Sequence, residues 1–189
     1  NPDMQNTYVT RCLQKTDDIR RLTDRMFEYA LVYDVSEPEQ IRMIPFSLSR
    51  LLGLFREQMD FLELAGFHTD IYFPDADTSD ITTPDALTIQ ADPELCKRIL
   101  NNLFSNILKY GSKQETVTLS VQLPPEINKD AALCLALKNT VKPEHSAVES
   151  NRIGLKSSTR NMERMGGKLV VFQTNTFFEV TLSFPVTAP

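Results

Sequence analysis

The chain of 189 residues is expected to fold as an α+β protein, with a long helix at the N-terminus followed by one compact unit of mixed helices and strands. Three observations lead there. A 3-4 apolar repeat runs through residues 4–33, a second apolar helix between Asp92 and Gly111 carries a polar stripe, and short strands bounded by turn residues give the order β-α-β-β-α-β-β-loop-α-β-β.

In the first segment Tyr8, Cys12, Ile19, Leu22, Met26, Tyr29 and Tyr33 occupy a and d positions, with Lys15 the one breach, so this helix needs a partner helix to cover its seam. Asp34 to Gln40, with Ser36-Glu37-Pro38, reads as a linker, and residues 1–35 and 36–189 are taken as separate domains. The second begins with a short strand at Ile41–Ile44 and a helix from Ser47 to Ala65 stopped by Gly66. Strands follow at Thr69–Phe73 and Leu87–Gln90, separated by the Asp/Thr/Pro-rich loop Pro74–Pro84. Asp92 is a natural N-cap with Pro93 at the first helical position. Beyond Gly111 come strands at Thr116–Leu123 and Ala132–Lys138, a loop from Asn139, a helix from Leu155 to Met165, and the pair Gly166-Gly167. A last hairpin joins Lys168–Gln173 to Phe177–Phe184 around Thr174-Asn175-Thr176.

With 41% apolar and 24% charged residues the chain is an ordinary globular one. A net charge of −5 and a pI near 5.1 exclude a nucleic-acid partner held through a broad basic face. Cys12, Cys96 and Cys134 are far apart without C-x-x-C spacing, which speaks against a zinc site or disulfide framework and for reduced thiols in a cytoplasmic setting. No apolar run is long enough to span a bilayer, so the segment is not expected to insert in a membrane. The start, Asn1-Pro2-Asp3-Met4, resembles no targeting peptide and has no initiator Met, as expected of a piece of a longer protein.

The chemistry concentrates in Ile99-Leu100-Asn101-Asn102-Leu103-Phe104-Ser105-Asn106-Ile107-Leu108-Lys109-Tyr110-Gly111. Asn102, Asn106, Lys109 and Tyr110 fall at i, i+4, i+7 and i+8 on one stripe, beside an apolar stripe of Leu95, Ile99, Leu103 and Ile107. Asparagine is a poor helix former, so its repetition here asks for a reason. Two amide oxygens, a cation and a phenol suit a hard metal ion carrying phosphate oxygens.

These residues resemble the N box of sensor histidine kinases, the Mg-ATP motif of the Bergerat (GHKL) ATPases: an acidic residue, Pro, a leucine-rich turn, then N-L-x-x-N-x-x-K-Y. The resemblance implies a two-layer α/β sandwich of Bergerat type, with a mixed sheet and helices on one face. It makes Asn106 the Mg²⁺ ligand, brings Lys109 to the phosphates, and lines the nucleotide with Asn102 and Tyr110. Ile153-Gly154-Leu155, a helix and Met165-Gly166-Gly167-Lys168-Leu169 resemble the G2 box and the strand after it, which assigns Gly154 and Leu155 to the nucleotide; Arg152 stands where the family has a further glycine. A glycine turn feeding a helix presents N–H groups to phosphate.

The family's G1 box supplies an Asp that accepts from the adenine amino group. Here Asn139 holds that place, the following glycines are missing, and an uncharged amide oxygen makes the weaker acceptor. Only fourteen residues separate Asn139 from Gly154, with no Phe among them, so the F box and full ATP lid are absent; Lys142, His145 and Arg152 are read as a solvated loop. Leu13–Tyr33 resembles the second helix of the dimerisation and phosphotransfer hairpin. Neither His68 nor His145 lies in an H box, so no catalytic residue is expected in this segment.

The resemblance implies ATP and Mg²⁺ as cofactors, a response regulator receiver domain as partner, and a homodimer formed through the hairpin. It also implies a cytoplasmic position in a protein anchored in the bacterial membrane. Phosphate would pass from ATP to a His on a helix outside this segment and then to an Asp of the response regulator. Two other readings stay open: a nucleotide-weak pseudokinase acting through helix packing, and an anti-sigma-factor kinase, a family without the long heptad helix.

Overall fold

The computed structural model describes residues 40–74, 87–126, 131–142 and 153–187, with Arg11, Lys15 and Thr16 besides. The chain divides into two compact units, Asn1–Pro38 and Glu39–Pro189. In the first, Arg11, Lys15 and Thr16 are helical and exposed; the heptad seam from Tyr8 to Tyr33 lies outside the described residues. So do loop residues 75–84, His145 and Arg152.

The second unit runs β1 (Ile44–Ser47), α1 (Leu48–Leu64), β2 (Thr69–Tyr72), β3 (Thr88–Ala91), α2 (Pro93–Tyr110), β4 (Val117–Gln122), β5 (Ala132–Thr140), α3 (Ile153–Arg164), β6 (Lys168–Gln173) and β7 (Phe177–Thr187). This is the order expected from the sequence. The sheet is mixed, ordered β1-β3-β7-β5-β4-β2, with β6 also on β7. Among the described residues only β2 and β4 pair in parallel. Strand β7 is the hub: one edge pairs with β5 from Phe177 to Pro185, and the other is divided between β6 at Phe178–Ser183 and β3 at Val186 and Thr187.

Period-two burial shows which face is covered. Val117, Leu119 and Val121 on β4, Leu133, Leu135 and Leu137 on β5, and Val180, Leu182, Phe184 and Val186 on β7 are buried. Their alternates Thr118, Ser120, Cys134, Ala136, Thr181 and Ser183 remain partly open. The helices thus cover one face, as the two-layer sandwich requires. α1 contributes Leu48, Leu51, Leu52, Phe55, Met59 and Leu62, and α2 contributes Leu95, Cys96, Ile99, Leu100, Leu103, Phe104 and Ile107. Each such side chain contributes about 1.5–3 kcal/mol when fully buried.

Local chemistry sets the ends of these helices. Ser47 caps α1 by accepting from the Arg50 N–H. At its other end Gly66 takes φ +87°, while the Gly66 and Phe67 N–H groups donate to the carbonyls of Glu63 and Leu62. This is a Schellman stop, with buried Phe67 and Leu62 supplying its apolar contact. The same closure ends α3, where Gly166 (φ +75°) and Gly167 donate to Glu163 and Met162. A Cβ on Gly167 would lie 2.7 Å from the Ser183 carbonyl oxygen, so the second glycine is demanded by close backbone approach to β7.

Asp92 caps α2 more firmly. Its Oδ1 accepts from the N–H groups of Glu94 (2.9 Å) and Leu95 (3.2 Å), and its Oδ2 from that of Arg42 (2.8 Å), a long-range tie to the segment before β1. Burial alone raises the carboxyl's affinity for a proton, but the three donors and nearby Arg164 outweigh it and hold the group below its ordinary value of 3.8. A carboxylate with a depressed folded value stabilises the fold above its unfolded value, and that stabilisation is lost as pH falls through the folded one. Chemical denaturation at pH 5 and near pH 2.5 is therefore expected to show a steeper acid loss for the native chain than for Asp92→Asn, which keeps a capping oxygen without the charge. Equal slopes would contradict the assignment. Cys96, one helical turn on, is pushed up to about 12 by burial and by the Asp92 charge, which makes it an inert core thiol.

Four elements differ in their bounds by two or more residues from the sequence reading, and one of them is β7, which runs to Thr187 rather than Phe184. β1 begins at Ile44 rather than Ile41, because its pairing with β3 runs from Ile44↔Ala91 to Ser47↔Thr88. β5 continues through Asn139 to Thr140, so Asn139 is a strand residue rather than the start of a loop; it pairs with Phe178, inside the stretch already expected for β7. α3 starts at Ile153, so Gly154 and Leu155 sit in its first turn. No described helix is long and apolar enough to cross a membrane.

Candidate functional site

Helix α2 brings the candidates into one row. Because its buried stripe faces the core, the stripe bearing Asn102, Asn106, Lys109 and Tyr110 is turned toward the rim: the two asparagines and Tyr110 are half-buried and Lys109 is exposed. At a rise of 1.5 Å per residue, Asn102 to Tyr110 spans about 12 Å.

Each end of the row is tied to another element. Asn102 donates through Nδ2 to the Gly154 carbonyl (3.4 Å) and to Ser158 Oγ (3.3 Å), which joins α2 to the first two turns of α3. A Cβ on Gly154 would lie 3.7 Å from Asn102 Cγ, an ordinary contact, so this glycine is not required sterically there. Asn102 therefore has a structural partner in α3 that its sequence role did not foresee.

At the far end Gly111 bridges Val141, the Ser112 N–H donates to the Thr140 carbonyl (2.8 Å), and the Lys142 N–H donates to that of Tyr110 (2.9 Å). The strand end carrying Asn139 is held in this way alongside the Lys109-Tyr110-Gly111 end of α2. Asn139 is itself buried, and its Nδ2 donates to the Thr140 carbonyl at 3.0 Å. That bond orients the amide and leaves Oδ1 as an acceptor. Lys142 is half-buried, with its backbone engaged on Tyr110.

Two polar residues escape a sequence reading. Ser158 is completely buried and Asn161 nearly so, both on the inner side of α3. Ser158 is explained by Asn102, whose amide it accepts from. A serine four residues after a glycine carries no signal of its own; only the Asn102 contact gives it meaning.

Among the described residues no group of three or more His, Cys, Asp or Glu is placed to hold a metal ion. The row offers one or two neutral oxygen donors instead. Such a donor set fits Mg²⁺, which keeps several waters and leans on phosphate oxygens rather than a protein cage. The available chemistry is charge neutralisation and positioning: an amide oxygen for a hydrated metal, an ammonium at Lys109, and the backbone of the α3 N-terminus.

No family model matches the chain. A curated relative, sensor histidine kinase YrkQ of Bacillus subtilis (strain 168), is 24% identical over 185 residues, and the chain spans 38% of its length while 95% of the chain is matched. Among solved structures, the catalytic domain of histidine kinase ThkA in a nucleotide-free form superposes with a TM-score of 0.55 at 14% identity, covering 78% of this chain and 99% of that one. ThkA in complex with the response regulator protein TrrA gives 0.60 at 14% identity, covering all of this chain and 53% of the other. Over 78% of its length the chain has the fold of a histidine kinase catalytic domain, and its sequence is similar to that of a sensor histidine kinase.

Proposed function

We propose that residues 36–189 bind Mg-ATP as the catalytic domain of a sensor histidine kinase, for phosphorylation of a histidine on a helix outside this chain and onward transfer to an aspartate of a response regulator. The observation that carries this reading is the row along α2, flanked at Asn102 by Gly154 and at Tyr110 by the end of β5. Mg²⁺, when bound, neutralises charge between the phosphate oxygens. Asn106 offers it an oxygen, Lys109 offers charge to the phosphates, Gly154 and Leu155 lie in the helix turn facing them, and Asn102 and Tyr110 bound the nucleotide's sides. Residues 1–35 supply the second helix of the dimerisation hairpin, and the whole protein is a membrane-anchored homodimer with its kinase in the cytoplasm. A nucleotide-weak pseudokinase is the second reading, favoured by the fourteen-residue connection from Asn139 to Gly154, which is short for a lid over the triphosphate.

Base recognition gives a sharp test. Asn139 Oδ1 accepts, and adenine presents an amino donor where guanine presents a carbonyl oxygen. ATP is expected to bind at least about tenfold more tightly than GTP, a difference of about 1.4 kcal/mol. Asn139→Ala should erase that preference, and Asn139→Asp should strengthen ATP binding by adding charge assistance. Competition binding against a fluorescent ADP analogue measures all three, and equal affinity of the native chain for ATP and GTP would sink the assignment.

A further inference from the structure

Strand β6 has one edge on β7 and pairs with nothing else among the described residues. Its sequence is Lys168-Leu169-Val170-Val171-Phe172-Gln173, high in β propensity, without proline, and charged only at Lys168. Leu169 is buried, whereas Val170, Val171 and Phe172 are 45%, 39% and 57% exposed. Proteins ordinarily blunt such an edge with inward charges, proline, a bulge or a cover. Among the described residues no such device guards the middle of the strand.

Beside this edge lies an open groove of about 620 Å³ between α3 and β6, lined by Leu155, Lys156, Thr159, Arg160 and Glu163 on the helix and by Val171, Phe172 and Gln173 on the strand. Successive residues of a strand point to opposite faces, so a groove lined by three in a row reaches the backbone edge itself. The helix turns Gly154 and Ser158 toward Asn102, and Thr159, Arg160 and Glu163, about half a turn away, toward the groove. The groove is therefore a different face from the row on α2, meeting it only near Leu155.

We infer that this groove binds an extended acidic peptide segment of another protein, which adds to the sheet as a strand beside β6, turning its acidic side chains toward Lys156 and Arg160 on α3 and its apolar ones to the opposite face, beside Val170 and Phe172. Backbone pairing supplies affinity, and the groove's side chains supply selection. Charge decides the occupant. In a chain of net charge −5, the groove carries Lys156 and Arg160, both exposed, with Lys168 exposed at the start of β6 and Glu163 the lone anion of its lining. A second copy of the chain would bring its own Lys156, Arg160 and Lys168 to the same edge, setting like charges together; an acidic strand meets complementary ones. The inference does not depend on nucleotide binding.

A fluorescein-labelled peptide of alternating Glu and Val, six residues long, is the probe, with an alternating Lys and Val peptide as its comparator. In fluorescence anisotropy the acidic peptide should bind the full chain at least about tenfold more tightly than the basic one. Double substitution Lys156→Glu with Arg160→Glu, at exposed positions, should reverse that order. Only one strand edge faces β6, so of two probes N-methylated at alternate residues, one should lose binding and the other keep it. Hydrogen exchange of residues 168–173 in the unmodified chain should slow when the acidic peptide is added. Equal binding of acidic and basic peptides, survival or loss of both N-methylated forms, or no binding at about 1 mM would overturn the inference. So would concentration-dependent protection of the β6 amides without peptide, which would assign the edge to a second copy.

Discussion

Asn106→Ala is expected to abolish the Mg²⁺ dependence of nucleotide binding and to weaken Mg-ATP by at least about tenfold, or about 1.4 kcal/mol, without loss of fold. Asn106 sits half-buried in the middle of the row, and its amide oxygen is the donor the metal would use. Alanine is the better helix former, so α2 itself should gain slightly. Asn101→Ala is the control, because Asn101 is exposed on the same helix but off the row. Isothermal titration with and without Mg²⁺ separates the two; an Asn106→Ala protein that retains the full Mg²⁺ effect would remove the metal role from this residue.

Phe55→Ala should be the costliest single change to stability, at about 3–5 kcal/mol. Phe55 is fully buried on α1 and meets Phe104 of α2 edge-on, with ring centroids 6.2 Å apart and planes at 66°. The two rings sit where the helix layer is sealed, and an alanine leaves a cavity that neither helix can close without moving the row of α2 beside it. Against a typical domain stability of about 5–15 kcal/mol the loss is a large fraction. Phe55→Leu fills most of the space and should cost less. Urea denaturation measures both, and a cost below about 1 kcal/mol for Phe55→Ala would show that α1 and α2 do not pack as described.

Features with a local cause were legible in the sequence. Asp92-Pro93 announces the start of α2 because the cap and the proline each act within one turn, and Gly66 and Gly166 end helices through their own positive φ. The β6–β7 hairpin is likewise local, closed by Thr174 Oγ1 accepting from the N–H groups of Thr176 and Phe177. What misled was set by distant partners. Apolar Ile41 and Met43 look like strand, but β3 begins its pairing only at Ile44. Asn139 looks like a strand end until its pairing with Phe178 of β7 is seen, and Gly154 looks like a loop residue although a helix's first turn accepts it. For the candidate site the spacing along α2 could be read from the chain itself, because a helix converts spacing into a face. The links from Asn102 to Gly154 and Ser158, and from Tyr110 to Lys142, join residues far apart in sequence and become visible only in three dimensions.

The central claim, that the row on α2 binds Mg-nucleotide, is tested most directly by calorimetric titration of the folded chain with a non-hydrolysable ATP analogue and Mg²⁺. The fourteen-residue connection before Gly154 and the uncharged Asn139 both weaken the site, so the expected result is saturable binding in the range of about 10 µM to 1 mM that falls when Mg²⁺ is withdrawn. No heat of binding for ATP or ADP at about 1 mM, from protein shown by circular dichroism to be folded, would contradict it and leave the pseudokinase reading in its place.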